Sequence, residues 1–299
     1  MADEQHILIA ANPKSGAVSR QKVVAELRQA LLADNFIVDI CESLDRVQQR
    51  ASELRTQGKL RCVVSAGGDG TAAALANRIA ADVPLLVFPL GTENLLAKHW
   101  GLSDDIASAR NRIRGGKSIA MDVGLANGKV FLVMASCGFD AAVVSCMHAN
   151  RRGHISRWSY TKPILQTLLT YRFPTLDFTA DANPLTESAN RAASVAWLFA
   201  FNLPRYAANL KFCPQADPLD GQLDICTFQR PGVWRGFGYL ASLWLGKHQR
   251  LRNFKRLLSS HLTISCTSPV PVHYQLDGDP GGLLPLEIGI QPGRLRLII

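Results

Sequence analysis

Residues 61–71 read Arg61-Cys62-Val63-Val64-Ser65-Ala66-Gly67-Gly68-Asp69-Gly70-Thr71. Arg61 to Ala66 has the β-branched, apolar character of a buried strand, and it stops at glycines wrapped round one acid. A helix is expected to follow, from about Thr71 to Ala81. Upstream, His6 to Ala11 reads as a strand, Ser19 as the cap of a helix with Val23, Val24, Leu27, Ala30 and Leu31 on one face, Phe36 to Cys41 as a strand, and Ser43 to Gln57 as a helix. Downstream, Pro84 to Leu90 reads as a strand and Glu93 to Trp100 as the start of a helix. Strands alternating with helices of this length require parallel crossovers, hence an α/β domain with a doubly wound, mostly parallel sheet.

The rhythm breaks near residue 117. Ile119 to Leu125, Asn127-Gly128 and Val130 to Ala135 read as a hairpin, because Asn-Gly supplies the positive φ of a type I′ turn. Strand-like runs follow at Leu176–Ala180, Ser194–Phe201, Gln222–Phe228, Leu262–Cys266 and Arg294–Ile299, with one helix expected at about Trp234 to Leu245. The expected organisation is therefore an α/β domain over 1–124 and a mainly antiparallel β domain over 125–299, with the extreme C-terminus packing back on the first.

Three strand ends carry turn-rich loops: Asn12-Pro13-Lys14-Ser15-Gly16, then Gly67-Gly68-Asp69-Gly70-Thr71, then Pro89-Leu90-Gly91-Thr92-Glu93-Asn94. In a parallel sheet such loops gather at the carboxyl edge, where glycines let backbone N–H groups and helix N-termini approach a phosphate. Asp69 is out of place among anion-binding groups unless a cation intervenes, which argues for Mg²⁺ and a polyphosphate. Two decoys are set aside. Gly68-x-Gly70-x-x-Ala73 fits a loose dinucleotide fingerprint, but no acid ends the next strand. Gly116-Lys117-Ser118 lacks the first glycine of a P-loop.

The start Met1-Ala2-Asp3-Glu4-Gln5 lacks the basic, then apolar, pattern of a signal peptide, and no apolar run reaches the ~20 residues needed to span a bilayer. The seven cysteines are scattered and form no C-x-x-C, as expected of thiols in a reducing, cytoplasmic compartment. Net charge is +9. Ile225 to Leu276 holds no Asp or Glu yet carries Arg230, Arg235, Lys247, Arg250, Arg252, Lys255 and Arg256. Beside them Phe237, Leu240, Leu243 and Trp244 recur at helical spacing, which reads either as core packing with a solvated basic flank or as an interfacial surface. Arg151, Arg152, Arg157 and Lys162 with Trp158 and Tyr160 share that ambiguity. No nucleic-acid motif is present.

Taken together the motifs resemble the diacylglycerol kinase catalytic-domain family, which includes bacterial lipid kinases and sphingosine and ceramide kinases. N-P-x-S-G, G-G-D-G-T and P-x-G-T-x-N occur in order. Met121-Asp122-Val123-Gly124, Gly138-Phe139-Asp140, Pro214-x-Ala216, Asp220-Gly221-x-Leu223-Asp224 and Asp277-Gly278-Asp279 follow. G-G-D-G-T alone is shared with NAD kinases. The resemblance implies an ATP-binding α/β domain, a β-rich lipid domain and a cleft between them. It implies an ATP- and Mg²⁺-dependent kinase of diacylglycerol or a related lipid alcohol, serving phospholipid biosynthesis, cytoplasmic and peripheral at the inner face of the membrane. Asn12, Pro13, Lys14, Ser15, Gly16, Gly67, Gly68, Asp69, Gly70, Thr71, Ala72, Ala73, Thr92 and Asn94 match its ATP positions. Asp69 and Asp122 match acids linked to catalytic magnesium. Asp220, with main-chain oxygens of Asp217 and Gln222, matches a structural magnesium site. The family's D-G-E, which carries the proton acceptor, reads Asp277-Gly278-Asp279 here, so Asp279 and Asp277 are both candidate bases.

The sequence departs from the family where Ala72, Ala73 and Ala74 replace its Asn-Glu, at Tyr206-Ala207-Ala208-Asn209, and at Cys41. Two other readings stay open: a kinase of a soluble alcohol or NAD, and a degenerate relative that binds nucleotide or lipid without transfer. A homodimer is also open.

Overall fold

A computed structural model describes residues 4–11, 18–149, 161–181, 191–207 and 210–299. The chain divides into two compact units, Met1–Asp122 with Pro292–Ile299, and Val123–Gln291. The last eight residues thus belong with the first unit, and the division falls within the strand over 118–126.

The first unit runs β1 (His6–Ala11), α1 (Val18–Leu32), β2 (Ile37–Cys41), α2 (Leu44–Thr56), β3 (Leu60–Gly67), α3 (Asp69–Ala76), β4 (Leu85–Pro89), α4 (Leu95–His99), α5 (Ile106–Gly115) and β5 (Ser118–Ala126). The sheet is parallel in the order β2-β1-β3-β4. Its core packs Ile7, Ile9, Val64 and Phe88 of the strands against Val24, Leu27 and Leu31 of α1. Each such fully buried side chain contributes roughly 1.5–3 kcal/mol.

Local chemistry trims the expected helices. Ser43 caps α2 by accepting the Arg46 N–H, but α1 already begins at Val18, so Ser19 lies in its first turn. α3 ends at Ala76, short of Ala81, where Asn77 turns its amide onto the Ala73 carbonyl. Asn94, at φ 50°, delays α4 until Leu95. α5, capped by Asp105, was outside the expected set.

The second unit continues with β6 (Lys129–Phe131), β7 (Met134–Gly138), α6 (Phe139–Ala149), α7 (Thr161–Thr170), β8 (Leu176–Ala180), β9 (Arg191–Val195), β10 (Trp197–Phe201), β11 (Arg205–Tyr206), β12 (Leu210–Lys211), β13 (Leu223–Phe228), α8 (Val233–Trp244), β14 (Phe254–Ser259), β15 (His261–Ser265), β16 (His273–Leu276), β17 (Asp279–Leu283) and β18 (Leu286–Ile298). β14-β13-β10-β7-β16-β17 form one antiparallel sheet, and β18-β15-β8-β9 run antiparallel in another. Leu198, Ile225 and Leu276 of the former meet Phe178, Leu262 and Ile288 of the latter in one core. The end of β18 pairs in parallel with β4, Leu297 beside Leu85.

Three expectations change here. The hairpin turn stands, with Asn127 at φ 45° and Gly128 at φ 81°, but its second arm splits into β6 and β7, which pair in different sheets. Ser194–Phe201 likewise splits at Ala196 into β9 and β10. α6 and α7 join α8, so more than one helix interrupts the strands. Gly138, at φ 93°, ends β7 and lets the apolar run continue as helix. All seven cysteines are free thiols, and burial pushes Cys62 up to about 12, which makes it inert. Among the described residues no helix is long and apolar enough to cross a membrane.

Candidate active site

In the first unit the strand order reverses between β1 and β3, the place where open α/β sheets bind ligands at their carboxyl ends. The loop that leaves β1, with Asn12, Pro13, Lys14, Ser15 and Gly16, lies outside the described residues. The loops after β3 and β4 touch. Leu90 donates its N–H to the Gly67 carbonyl at 2.9 Å. A Cβ on Gly91 would stand 2.5 Å from the Gly68 Cα, and one on Gly67 would stand 2.4 Å from Thr71 Oγ1. Only glycine permits that approach. Asn94 clasps its own loop, its Oδ1 accepting the Gly91 N–H at 3.1 Å and its Nδ2 donating to the Gly91 carbonyl at 2.9 Å. Gly70 and Thr92 are exposed, Ala73 is half-buried, and Ala72 is wholly buried beneath the loop. The Thr71 and Ala72 amides turn inward to the Gly68 carbonyl.

Asp69 has a role the sequence did not reveal. Its Oδ2 accepts the Leu95 N–H at 2.8 Å and its Oδ1 the Leu96 N–H at 3.0 Å. It therefore caps α4, whose own Asn94 makes no side-chain cap bond. Burial raises its pKa, and the Leu96 and Leu95 donors pull it back. Two backbone amides thus meet part of the charge of this acid, while burial still holds its pKa above the usual carboxylate value. Asp122 is 3% exposed, and its Oδ1 accepts the N–H of Gly293, a residue at φ 61°. Among the described residues no three His, Cys, Asp or Glu side chains stand together as a cation site. Asp69 and Asp122 thus do not fit a preformed magnesium site.

The other expected ligands lie in the loop over 217–222 of the second unit. Asp217 Oδ1 accepts the Leu219 N–H at 3.0 Å, and Asp220 Oδ1 accepts the Gln222 N–H at 2.9 Å. These two exposed Asx turns offer a hard ion oxygen donors.

Also in the second unit, β16 turns into β17 through Asp277 at φ 52° and Gly278 at φ 90°. The Asp277 carboxylate accepts three main-chain donors, the N–H groups of Leu132 at 2.7 Å, Val133 at 2.8 Å and Met134 at 3.0 Å. Those amides sit at the β6–β7 junction, which is why the expected strand breaks there. Asp279 differs. Its side chain is 62% exposed, and its Oδ1 lies 3.4 Å from His148 Nε2 on α6.

Beneath the turn lies a buried polar network that sequence reasoning missed. Gln275 is 1% exposed. Its Oε1 accepts the Gly278 N–H at 2.8 Å, while its Nε2 donates to Ser136 Oγ at 2.9 Å and Asp140 Oδ2 at 3.1 Å. Asp140 also accepts the hydroxyls of Ser136 and Tyr206. Burial pushes its pKa up to about 6, against the pull of Ser136 and Gln275. Of these residues Asp140 stood in the motif Gly138-Phe139-Asp140 and Tyr206 in the stretch Tyr206-Ala207-Ala208-Asn209. Ser136 and His148 carried no signal.

Comparison with known proteins matches residues 6–126 to the model of the diacylglycerol kinase catalytic domain, and residues 133–299 to that of the YegS C-terminal NAD kinase beta sandwich-like domain. A Mycobacterium tuberculosis protein named diacylglycerol kinase is 26% identical over 249 residues, covering 79% of this chain and 76% of its own. A Pseudomonas aeruginosa protein whose name carries the words "lipid kinase YegS-like" is 27% identical over 246 residues, covering 79% and 75%. Among solved structures, one from Bacillus anthracis aligns over 99% of this chain and 95% of its own with a TM-score of 0.75 at 19% identity. Another, described as a diacylglycerol kinase from the same organism, aligns over 100% and 97% with a TM-score of 0.68 at 17% identity.

Proposed function

The chain belongs to the diacylglycerol kinase family and is a phosphotransferase, and we propose that it transfers the γ-phosphoryl group of ATP to the hydroxyl of diacylglycerol or a related lipid alcohol. One observation carries the choice of base: Asp279 is exposed on a turn whose other acid is taken up by three backbone amides.

Phosphoryl transfer depends on positioning and charge neutralisation. The abutting glycine loops after β3 and β4 are the donor side, held in shape by Asn94 and Asp69. On the acceptor side, the lipid hydroxyl oxygen forms the new bond to the γ-phosphorus as the bond to the bridging oxygen breaks and ADP leaves. The hydroxyl proton passes to Asp279, which His148 orients. Asp277 and Gln275 fix the turn that carries Asp279 and take no proton. A magnesium ion entering with the nucleotide would neutralise charge on its phosphates, since no preformed carboxylate site for it stands among the described residues. Asp217, Asp220 and the main chain of Gln222 would hold a separate structural ion.

Asp279→Asn is expected to lower kcat roughly 10²–10³-fold with KM little changed. Its melting temperature should stay within a degree or two of the wild type, and Asp279→Glu should recover most of the rate. Radiolabel transfer from ATP to a panel of lipid alcohols in mixed micelles reads this out. Equal labelling by wild type and Asp279→Asn would remove Asp279 from the reaction. The likeness of the second domain to the NAD kinase β sandwich favours one competing acceptor, NAD or another soluble alcohol. Labelling of such an acceptor without lipid would select it. Nucleotide binding without labelling of any acceptor would mark a binding protein without transfer.

A further inference from the structure

α8 is inside out. Its buried positions are Gly236, Tyr239, Ser242 and Leu243. Gly236 is small because α7 lies against it; a Cβ there would stand 2.6 Å from Leu168 Cδ1. Tyr239 stacks on Phe228 of the sheet with ring centroids 4.4 Å apart and hydrogen-bonds the Arg230 carbonyl at 3.1 Å. The outward positions carry the larger apolar groups. Trp234 is 86% exposed and Trp244 77%, with Phe237 between them and Leu245 after them. The spacing of 234, 237, 241 and 244–245 is one stripe of a helix. On the neighbouring helix α7, Leu165 and Leu169 are exposed as well. A solvent-facing stripe of indoles at this density marks an interaction surface.

The charge round that stripe identifies the partner. No Asp or Glu occurs from Ile225 to Leu276, while seven cations do. Arg256 is paired with Asp224; the other six enter no ion pair among the described residues. A second copy would press like charges together. A nucleic acid would leave Phe237, Leu245 and the leucines of α7 without apolar partners. An anionic bilayer satisfies both features, since indoles favour the headgroup boundary and lysine and arginine meet lipid phosphates.

We infer that the outer face of α8 is a membrane-docking element, placing Trp234, Phe237, Trp244 and Leu245 in the interface of an anionic bilayer while Arg235, Lys247, Arg250 and Arg252 meet the headgroups. The inference rests on the lipid-kinase reading, because a lipid acceptor is what such docking would serve. Its test is independent of turnover.

The full chain, without ATP, is sedimented with vesicles of phosphatidylglycerol and phosphatidylcholine, and with phosphatidylcholine alone. The wild type should bind the anionic vesicles at least roughly tenfold more strongly, lose much of that binding at 1 M salt, and shift its tryptophan emission to the blue on binding. The double variant Trp234→Ser/Trp244→Ser should lose about tenfold or more in binding, together with the emission shift. Lys247→Glu/Arg250→Glu, which leaves the stripe intact, should weaken binding and flatten its salt dependence. Equal binding to both vesicles would overturn the inference, as would a double variant that binds like the wild type. So would a wild-type dimer that the double variant dissociates, since the stripe would then be a self-interface. Vesicle binding without labelling of any lipid would sink the kinase reading and leave the docking face standing.

Discussion

Asp69 of the α/β unit and Asp277 of the β-rich unit are alike in sequence, each an acid beside a glycine in a conspicuous loop. Both accept backbone N–H groups, yet they build different things. Asp69 reaches amides 26 and 27 positions away and caps one short helix. Asp277 reaches 143 to 145 positions back and joins a β-turn to the junction where the chain leaves one sheet for another. Round Asp69 the shape comes from glycines in backbone contact. Round Asp277 it comes from buried side chains, with Gln275 as their hub. A loop built of backbone approach and a turn built of side-chain contacts should fail in different ways.

The largest effect is expected at Asp277. Asp277→Ala orphans three amides, and at about 1.5 kcal/mol for each bond to a charged acceptor the loss is roughly 4–5 kcal/mol. Asp69→Ala removes two such bonds at a site half-buried like that of Asp277, so about 3 kcal/mol is expected. Urea unfolding of the two variants separates them. Equal losses would break the comparison and make both acids local caps.

Next in size is the pH dependence that the buried network imposes. Asp140 has a folded pKa pushed up from 3.8 to about 6. Below pH 3.8 the carboxyl is protonated in both states, and its contribution is fully present. As pH rises from about 4 through 6, the unfolded chain ionises first, and stability falls by up to about 3 kcal/mol. The wild-type urea midpoint should therefore drop between pH 4.5 and 7 by more than that of Asp140→Asn, which cannot ionise. Parallel curves would mean that the network holds a charged Asp140 throughout, and that its hydroxyl and amide donors outweigh burial.

The contrast also explains what can be read in the sequence. The glycine loops, the β-α alternation and the parallel sheet are legible because they rest on short-range rules, namely where glycine is required and where apolar residues recur. The Asp279 turn is legible as a motif, but its support is not. Ser136, Asp140, Tyr206 and Gln275 sit on four different elements, and only the pairing of β16 with β7 brings them together. Asp69 is half legible for a related reason: the acid stands out beside its glycines, but the fold is what brings the first amides of α4 to it. The helix α6 is hidden because Phe139–Ala149 follows an apolar strand with Asp140 alone to mark the change, and the turn is made by Gly138 at φ 93°.

The smallest effect probes the backbone approach itself. In Gly91→Ala the new methyl would stand 2.5 Å from the Gly68 Cα and 2.6 Å from Asn94 Oδ1. The first neighbour is backbone and the second is the Asn94 amide pinned to Gly91 by two hydrogen bonds, so the two loops must part by several tenths of an ångström, at about 1–3 kcal/mol. Gly115→Ala, at the end of α5 with nothing within 4 Å and no positive φ, is the matched control and should be neutral or slightly stabilising. If these loops hold the nucleotide, calorimetric titration with a non-hydrolysable ATP analogue should show Gly91→Ala weakened about tenfold and Gly115→Ala unchanged. A Gly91→Ala protein that loses stability but binds the analogue as the wild type does would leave the contact between the loops a structural feature and move the donor site elsewhere in the first unit.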